Sequence, residues 1–93
     1  MKIGIIGSGN MGGSLAKIWA RKGHEILITS TSPEETKQVA QSIGKNVKTG
    51  TTYEAVHFGD AVVFAFPYSS LGDVINKGGS FDGKIIIDLI KGL

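Results

Sequence analysis

The sequence predicts an α/β fold in which helices cover both faces of a doubly wound parallel sheet. Short β-branched runs alternate with amphipathic stretches along all 93 residues, the pattern of consecutive β-α-β units. The 14 glycines are about twice the average share, and they separate these stretches, where turns need positive φ. Helical crossovers force parallel pairing, so we expect five strands in the order 3-2-1-4-5, in one domain covering 1–93.

The first half of the chain is expected to supply two strands and two helices. Lys2–Ile6 and Glu25–Thr29 are short apolar runs typical of buried strands. Between them, Asn10–Lys22 has apolar residues at helical spacing and is followed by glycine, which predicts a helix. Ser32–Ile43 opens with an N-cap serine, an N1 proline and the glutamate of a capping box, which predicts a second helix.

The second half is expected to supply three strands and two helices. In chain order these are a short strand Asn46–Lys48, a helix after the capping box Thr51–Glu54 that ends at Phe58, a central strand Ala61–Phe66, a helix capped by Ser69 or Ser70, and a last strand Lys84–Ile87.

Residues 7–12 have the spacing G-x-G-x-x-G, directly after the first strand and at the start of the first helix. In that context Gly7 permits the tight turn, Gly9 removes a Cβ that would strike a pyrophosphate, and Gly12 lets the helix approach the sheet. The N–H groups of Asn10 and Met11 would point at the phosphates, aided by the positive helix end. The motif predicts dinucleotide binding on a Rossmann-type fold, and the alternative is a glycine-rich turn without a ligand.

The end of the second strand bears on which dinucleotide binds. NAD-binding folds usually place an acid there to hold the ribose 2′-OH, whereas this chain has Ser30, Thr31 and Ser32. Hydroxyls and backbone N–H groups can accept a 2′-phosphate that a carboxylate would repel, so the sequence favours NADP over NAD. No arginine stands beside them, and Lys37 is the nearest cation.

Phe66, Pro67 and Tyr68 follow the fourth strand at the carboxyl edge of the sheet, beside the first strand. This is the topological switch point, where ligands of open α/β sheets bind. The segment therefore either contacts the cofactor or serves only to end the strand.

Three segments, Met1–Gly12, Gly23–Glu25 and Val62–Tyr68, together resemble the N-terminal domain of the deazaflavin (coenzyme F420)-dependent NADP oxidoreductases. Similar domains occur in pyrroline-5-carboxylate reductase and in enzymes of the 6-phosphogluconate dehydrogenase type. The resemblance covers essentially the whole chain and identifies the cofactor-binding domain better than the substrate.

The resemblance also implies roles for individual residues. Ser8, Asn10 and Met11 would contact the phosphates, Ser30 would help to hold the 2′-phosphate, and Pro67 would lie against the cofactor. The chain departs from the family in two places. The basic residue that often follows the serine is missing, and the small-polar-proline segment that usually follows the fifth strand is absent.

Two functions stay open at this point. One is an NADPH-dependent oxidoreductase that transfers hydride, with a deazaflavin or flavin as a suitable acceptor, and that needs an oligomer or a partner to complete its site. The other is a non-catalytic dinucleotide-binding or sensing module, or a truncated remnant without the substrate half. No acid–base pair, nucleophile or metal-ligand cluster stands out, so no catalytic residue and no metal are assigned.

Three further features of the sequence indicate which partners and which cellular location to expect. Lys84–Leu89 is an isoleucine-rich edge strand, which predicts pairing with a second copy in a homodimer or larger assembly. The basic group Lys17, Arg21 and Lys22 lies on one helix and is interpreted as a solvated face, so no nucleic-acid partner is expected. No apolar run has the length of a membrane span or a secretory signal, which leads us to expect a cytoplasmic protein.

Overall fold

A computed structural model of the chain describes residues 1–7 and 9–90. The strands are β1 Lys2–Ile6, β2 Glu25–Thr29, β3 Val47–Thr49, β4 Ala61–Phe64 and β5 Ile85–Asp88. The helices are α1 Asn10–Arg21, α2 Pro33–Ile43, α3 Thr52–Phe58 and α4 Leu71–Gly78, and a short 3₁₀ turn, Tyr68–Ser70, precedes α4. The strands are all parallel and form one sheet in the order β3-β2-β1-β4-β5. The predicted fold class and strand order are confirmed.

The sheet is buried on both faces at its centre. Ile5 of β1 lies beside Ile28 of β2 and Val63 of β4, and all three side chains are inaccessible to solvent. They pack against small residues of α1 and α2, among them Ala16 and Ala40. Continuous apolar strands are what a parallel sheet covered on both faces requires.

The other face of the sheet packs against α3 and α4. Leu27, Val62 and Phe64 meet Val56 of α3 and Val74 of α4 there. Neighbouring residues of one strand, such as Val62 and Val63, thus belong to opposite cores, because successive side chains of a strand alternate between faces.

Gly4, which interrupts the apolar run of β1, is explained by this second face. A Cβ added at Gly4 would overlap the carbonyl of Ala55 in α3. The absent side chain therefore lets α3 lie directly on the backbone of the central strand.

Several predicted boundaries move by one or two residues. The third strand begins at Val47; Asn46 lies before it, with its carbonyl accepting from the Ile26 N–H at 2.8 Å and its side chain donating to the carbonyls of Ala20 and His24, each at 2.8 Å. The fourth strand ends at Phe64, where the predicted strand continued to Phe66, and the first helix ends at Arg21 with Lys22 as its C-cap.

The last strand is likewise shifted, to Ile85–Asp88. Lys84 lies before it, and its ammonium donates to the carbonyl of Gly59 at 2.7 Å. Asp88, which was expected to follow the strand, is paired with Phe64 in its final position.

The two predicted capping boxes have different outcomes. In α3 the Thr51 hydroxyl accepts from the Glu54 N–H at 3.1 Å, and the Glu54 carboxylate accepts from the Thr51 N–H at 2.9 Å. In α2, Ser32 is the N-cap residue and Pro33 occupies N1, but the Ser32 side chain makes no capping hydrogen bond. The box is therefore confirmed at Thr51 and wrong at Ser32. Ser70 likewise precedes α4 without a side-chain capping bond.

Among the described residues, no helix combines the length and the apolar character that crossing a membrane would require.

Candidate functional site

The carboxyl ends of β1, β2 and β4 open into a cleft of about 440 Å³. Its described lining comes from four parts of the chain. The β1–α1 turn contributes Ile6, Gly7 and Gly9, and the β2–α2 loop with the first turn of α2 contributes Ser30, Thr31, Ser32 and Glu35. Thr52 lies at the start of α3, and the segment after β4 contributes Ala65, Phe66, Pro67, Ser70, Asp73, Val74 and Lys77. The cleft lies between β1 and β4, at the predicted switch point.

Gly7 and Gly12 close the base of the β1–α1 turn by backbone packing. Gly7 has φ +117°, and its N–H donates to the Thr29 carbonyl at 2.6 Å. A Cβ on Gly7 would overlap the carbonyl of Ala65, and a Cβ on Gly12 would overlap the carbonyl of Gly7. Both glycines are therefore needed for the fold of the turn itself.

Gly9 differs from both of its partners in the motif. Among the described residues, no atom outside Gly9 and its chain neighbours lies within 4 Å of a Cβ built on it, and Gly9 lines the cleft. Its backbone, with φ −62° and ψ −167°, is one that any residue can adopt. Nothing in the described fold therefore requires glycine here, and the space that its missing side chain leaves opens into the cleft.

Gly9 is also the N-cap of α1, a helix of 12 residues with no acidic side chain in its first turn. The first N–H groups of a helix have no partner within the helix and carry part of its positive dipole. An anion placed in the open space at Gly9 would meet these donors without meeting a carboxylate of the first turn.

The β2–α2 loop is held by hydroxyl groups. The Ser30 hydroxyl accepts from the Ser32 N–H at 3.0 Å and lies 2.5 Å from the hydroxyl of Thr36. The Thr36 hydroxyl also lies within 3.0 Å of the Ser32 carbonyl, to which it can donate. Thr36 is 2% exposed, so this cluster of hydroxyl groups includes one buried residue.

The segment after β4 forms the opposite wall. Phe66 is buried, with its ring centroid 5.2 Å from that of Phe64, and it also lines the cleft. Pro67 is exposed and begins the 3₁₀ turn, while Tyr68 is exposed and is not among the described lining residues.

The described charges of the lining are Glu35, Asp73 and Lys77. The Lys77 ammonium lies 3.1 Å from the Asp73 carboxylate, one turn earlier on α4. Lys37, the cation that the sequence placed nearest to the cofactor, is exposed on α2 and is not part of the described lining. The cation among the described lining residues is therefore Lys77 of α4, on the wall opposite the β2–α2 loop.

The structure brings most of the predicted site residues together, namely Gly7, Gly9, Ser30, Thr31, Ser32, Phe66 and Pro67. Gly12 is buried behind the turn, and Met11 is exposed in the first turn of α1 outside the described lining. Ser8 lies outside the described residues, and Asn10 is described only as the first residue of α1.

Sequence reasoning missed one face of α4 and the buried Thr36. Ser70, Asp73, Val74 and Lys77 follow helical spacing, so a helical pattern begun at the switch point could have shown that they share a face. Thr36 had no such signal, because its role depends on a contact with Ser30 across the loop.

The described part of the chain contains no group of three or more His, Cys, Asp or Glu side chains that could hold a metal ion. The cleft offers a ligand the hydroxyl groups of the β2–α2 loop, the first turn of α1 and an apolar wall after β4.

Comparison with known proteins agrees with this geometry. A family model described as coenzyme F420-dependent NADP oxidoreductase matches residues 2–92. A glycerol-3-phosphate dehydrogenase [NAD(P)+] from Chlorobium phaeobacteroides is 31% identical over 100% of this chain and 32% of its own. A second one, from Lactobacillus delbrueckii subsp. bulgaricus, is 30% identical over 99% of this chain and 31% of its own. The chain thus spans about a third of the length of these curated relatives.

Solved structures give the same picture of the fold. A candidate F420-dependent NADP reductase from an Arthrobacter species superposes with a TM-score of 0.84 and 25% identity, over 98% of this chain and 45% of that one. A reductive aminase from Aspergillus terreus, in complex with NADPH and ethyl levulinate, superposes with a TM-score of 0.83 over 98% of this chain and 32% of its own. Its 20% identity bears on the fold alone.

Proposed function

This chain belongs to the coenzyme F420-dependent NADP oxidoreductase family, and from that premise we propose that residues 1–93 form one dinucleotide-binding domain that holds NADP(H) for hydride transfer. The observation that carries the proposal is Gly9, whose missing side chain opens the cleft at the first turn of α1. A fold that needed glycine only for packing would have no use for empty space at that position.

The proposal assigns the pyrophosphate to the β1–α1 turn, with Ser8, Asn10 and Met11 beside it. The open space at Gly9 and the first N–H groups of α1, which have no partner within the helix, support this assignment. Pro67 and Phe66 would border the cofactor on the opposite wall, since both line the cleft after β4. Tyr68, at the rim of this segment, completes the proposed set.

We propose that the segment Ser30, Thr31 and Ser32 binds the 2′-phosphate that distinguishes NADP from NAD, with Ser30 helping to hold the loop that receives it. Thr29 ends β2 and no carboxylate follows it before α2, so the position at which an acid would repel this phosphate holds hydroxyls instead. Lys77, on the facing wall, supplies a cation to the same cleft. The uncharged strand end is the reason to place NADP ahead of NAD.

The nicotinamide ring of the cofactor supplies the hydride, and the residues of this chain bind and orient it. We take a deazaflavin or a flavin as the hydride acceptor, because its ring receives the hydride directly and the proton that completes its reduction can come from water, so that proximity to the nicotinamide is the main requirement. We place this reaction in the cytoplasm, where NADP(H) is regenerated, and cell fractionation tests that placement.

The test is a titration of the full chain with NADPH and NADH, followed by a turnover assay with a deazaflavin acceptor. We expect both nucleotides to bind and NADPH to bind more tightly. Failure of both to bind would overturn the proposal, and tighter binding of NADH would overturn the assignment of NADP. Binding without turnover under any acceptor would instead favour a non-catalytic dinucleotide-binding module.

We also propose that the protein forms a homodimer through the edge strand Lys84–Leu89. In the described part of the chain β5 pairs only with β4, and its Ile85 and Ile86 are 57% and 40% exposed. Apolar edge strands pair readily with further strands. Sedimentation at tens of micromolar tests this, and a monomer there, or a dimer unaffected by Ile86→Lys, would contradict it.

A further inference from the structure

The carbonyl of Ser32 receives more potential donors than it can satisfy. The Thr36 N–H lies 3.0 Å away, the Thr36 hydroxyl 3.0 Å and the Ser30 hydroxyl 3.1 Å. A carbonyl oxygen has two lone pairs, and the backbone N–H of Thr36 occupies one of them. The hydroxyl groups of Ser30 and Thr36 therefore compete for the second lone pair of this oxygen.

The short distance between the two hydroxyls decides how they share it. Because 2.5 Å separates Ser30 Oγ from Thr36 Oγ1, one hydroxyl proton lies between these oxygens. Either Ser30 donates to Thr36, or Thr36 donates to Ser30 and the Ser30 proton turns to the Ser32 carbonyl. In both arrangements the Ser30 proton has an acceptor inside the loop, and Ser30 Oγ also accepts from the Ser32 N–H.

The hydroxyl of Ser32 is in the opposite situation. It makes no capping hydrogen bond to α2, it is exposed, and it lines the cleft beside Thr31. The network thus engages Ser30 and the Ser32 backbone, while the Ser32 side chain does not make the capping bond that its position would otherwise favour.

We propose that Thr36 is a positioning residue for recognition of a 2′-phosphate, acting through Ser30. Its buried hydroxyl fixes Ser30 and the Ser32 backbone, and this keeps the hydroxyls of Thr31 and Ser32 available to the ligand. The inference deepens the proposed function and depends on it, because a 2′-phosphate must bind in this cleft.

A purely structural role makes a different prediction. Threonines within helices often donate to the carbonyl four residues earlier, as Thr36 can to Ser32, and such a bond affects the helix whatever ligand is present. A structural role would change stability, or the affinity for all nucleotides alike. A positioning role changes the affinity only for ligands that carry the 2′-phosphate.

The experiment compares the affinities of the full chain for 2′,5′-ADP and 5′-AMP in the wild type, Thr36→Val and Thr36→Ser. For Thr36→Val we expect about a tenfold loss for 2′,5′-ADP, the equivalent of one hydrogen bond, and a change of less than about twofold for 5′-AMP. Thr36→Ser keeps the hydroxyl and should match the wild type. An equal loss for both ligands, no loss for either, or a Thr36→Ser variant as weak as Thr36→Val would each overturn the inference.

A double-mutant cycle shows whether Thr36 acts through Ser30. Ser30→Ala alone should lose 2′,5′-ADP affinity selectively, and adding Thr36→Val should cost little more, whereas independent residues would give additive losses. If Thr36→Val does not fold, Thr36→Ala replaces it in both measurements. The proposed function and this inference fail in different ways. If the wild type does not bind NADPH, the proposed function is wrong. If the preference for NADPH survives loss of the Thr36 hydroxyl, only this inference is wrong.

Discussion

The β1–α1 turn and the β2–α2 loop border the same cleft and reach their shapes by opposite means. The turn is formed by missing side chains, because the backbone at Gly7 and Gly12 packs where any Cβ would overlap a carbonyl. The loop is formed by side chains, because the hydroxyls of Ser30 and Thr36 bind each other and the Ser32 backbone. The first shape is fixed by backbone sterics and the second by hydrogen bonds that water can replace. We therefore expect changes in the turn to cost more than changes in the loop.

The largest effect is expected for Gly12→Ala. The added methyl group would overlap the Gly7 carbonyl, so α1 must move away from the β1–α1 turn. We expect a loss of about 3 kcal/mol in the free energy of unfolding, the upper end for overpacked sites, which urea denaturation followed by circular dichroism measures.

Gly72→Ala is the matched control for Gly12→Ala. Gly72 also lies in a helix, α4, but in the described part of the chain no atom beyond its neighbours and its own helix backbone lies within 4 Å of its built Cβ. Alanine should be neutral there or stabilising by up to about 1 kcal/mol. Equal losses at Gly12 and Gly72 would show that backbone packing does not shape the turn.

Gly9→Val comes next and should separate binding from folding. Its Cβ meets nothing in the fold and its backbone suits any residue, so the cost in stability should be about 1 kcal/mol, from a poorer N-cap. The side chain would fill the space assigned to the pyrophosphate. We expect affinity for NADPH and NADH to fall alike by about 100-fold or more, equivalent to about 2.7 kcal/mol.

Fluorescence titration together with thermal melting checks the effect of Gly9→Val. Gly72→Val adds the same side chain on α4 outside the described lining and should leave both affinities unchanged. Retained nucleotide binding in Gly9→Val would show that the phosphates do not lie at this turn.

The contrast between turn and loop also explains what the sequence could predict. The fold could be predicted because its signals are local and each spans only a few residues. Examples are the apolar run Ile3–Ile6, the capping box at Thr51 and the glycine after each helix. The glycine spacing belongs to the same class. The ends of the elements were predicted less accurately, and long-range hydrogen bonds there, such as those of the Asn46 side chain to the carbonyls of Ala20 and His24, have no counterpart in the local pattern.

The parts of the site that the sequence did not predict depend on contacts between elements. Ser32 has the sequence of a capping box, but the Ser32 N–H donates to the Ser30 hydroxyl and the Ser32 side chain makes no capping bond. Lys77 lies 40 residues after Lys37 and reaches the cleft only because α4 follows the switch point. The local spacing of residues predicts neither the missing capping bond of Ser32 nor the position of Lys77 in the cleft.

The smallest effect is expected for Ser32→Ala, and it tests the loop side of the comparison. A serine that capped α2 would cost about 1 kcal/mol of stability when replaced by alanine. Because Ser32 makes no capping bond, we expect the unfolding midpoint to stay within error of the wild type. Affinity for NADPH should fall about fivefold, the value of one exposed hydrogen bond, and affinity for NADH should not change. A lower melting temperature with unchanged NADPH affinity would mean that the hydroxyl serves the helix after all, and Ser32 would then resemble Gly7 and Gly12 of the turn in serving the fold alone.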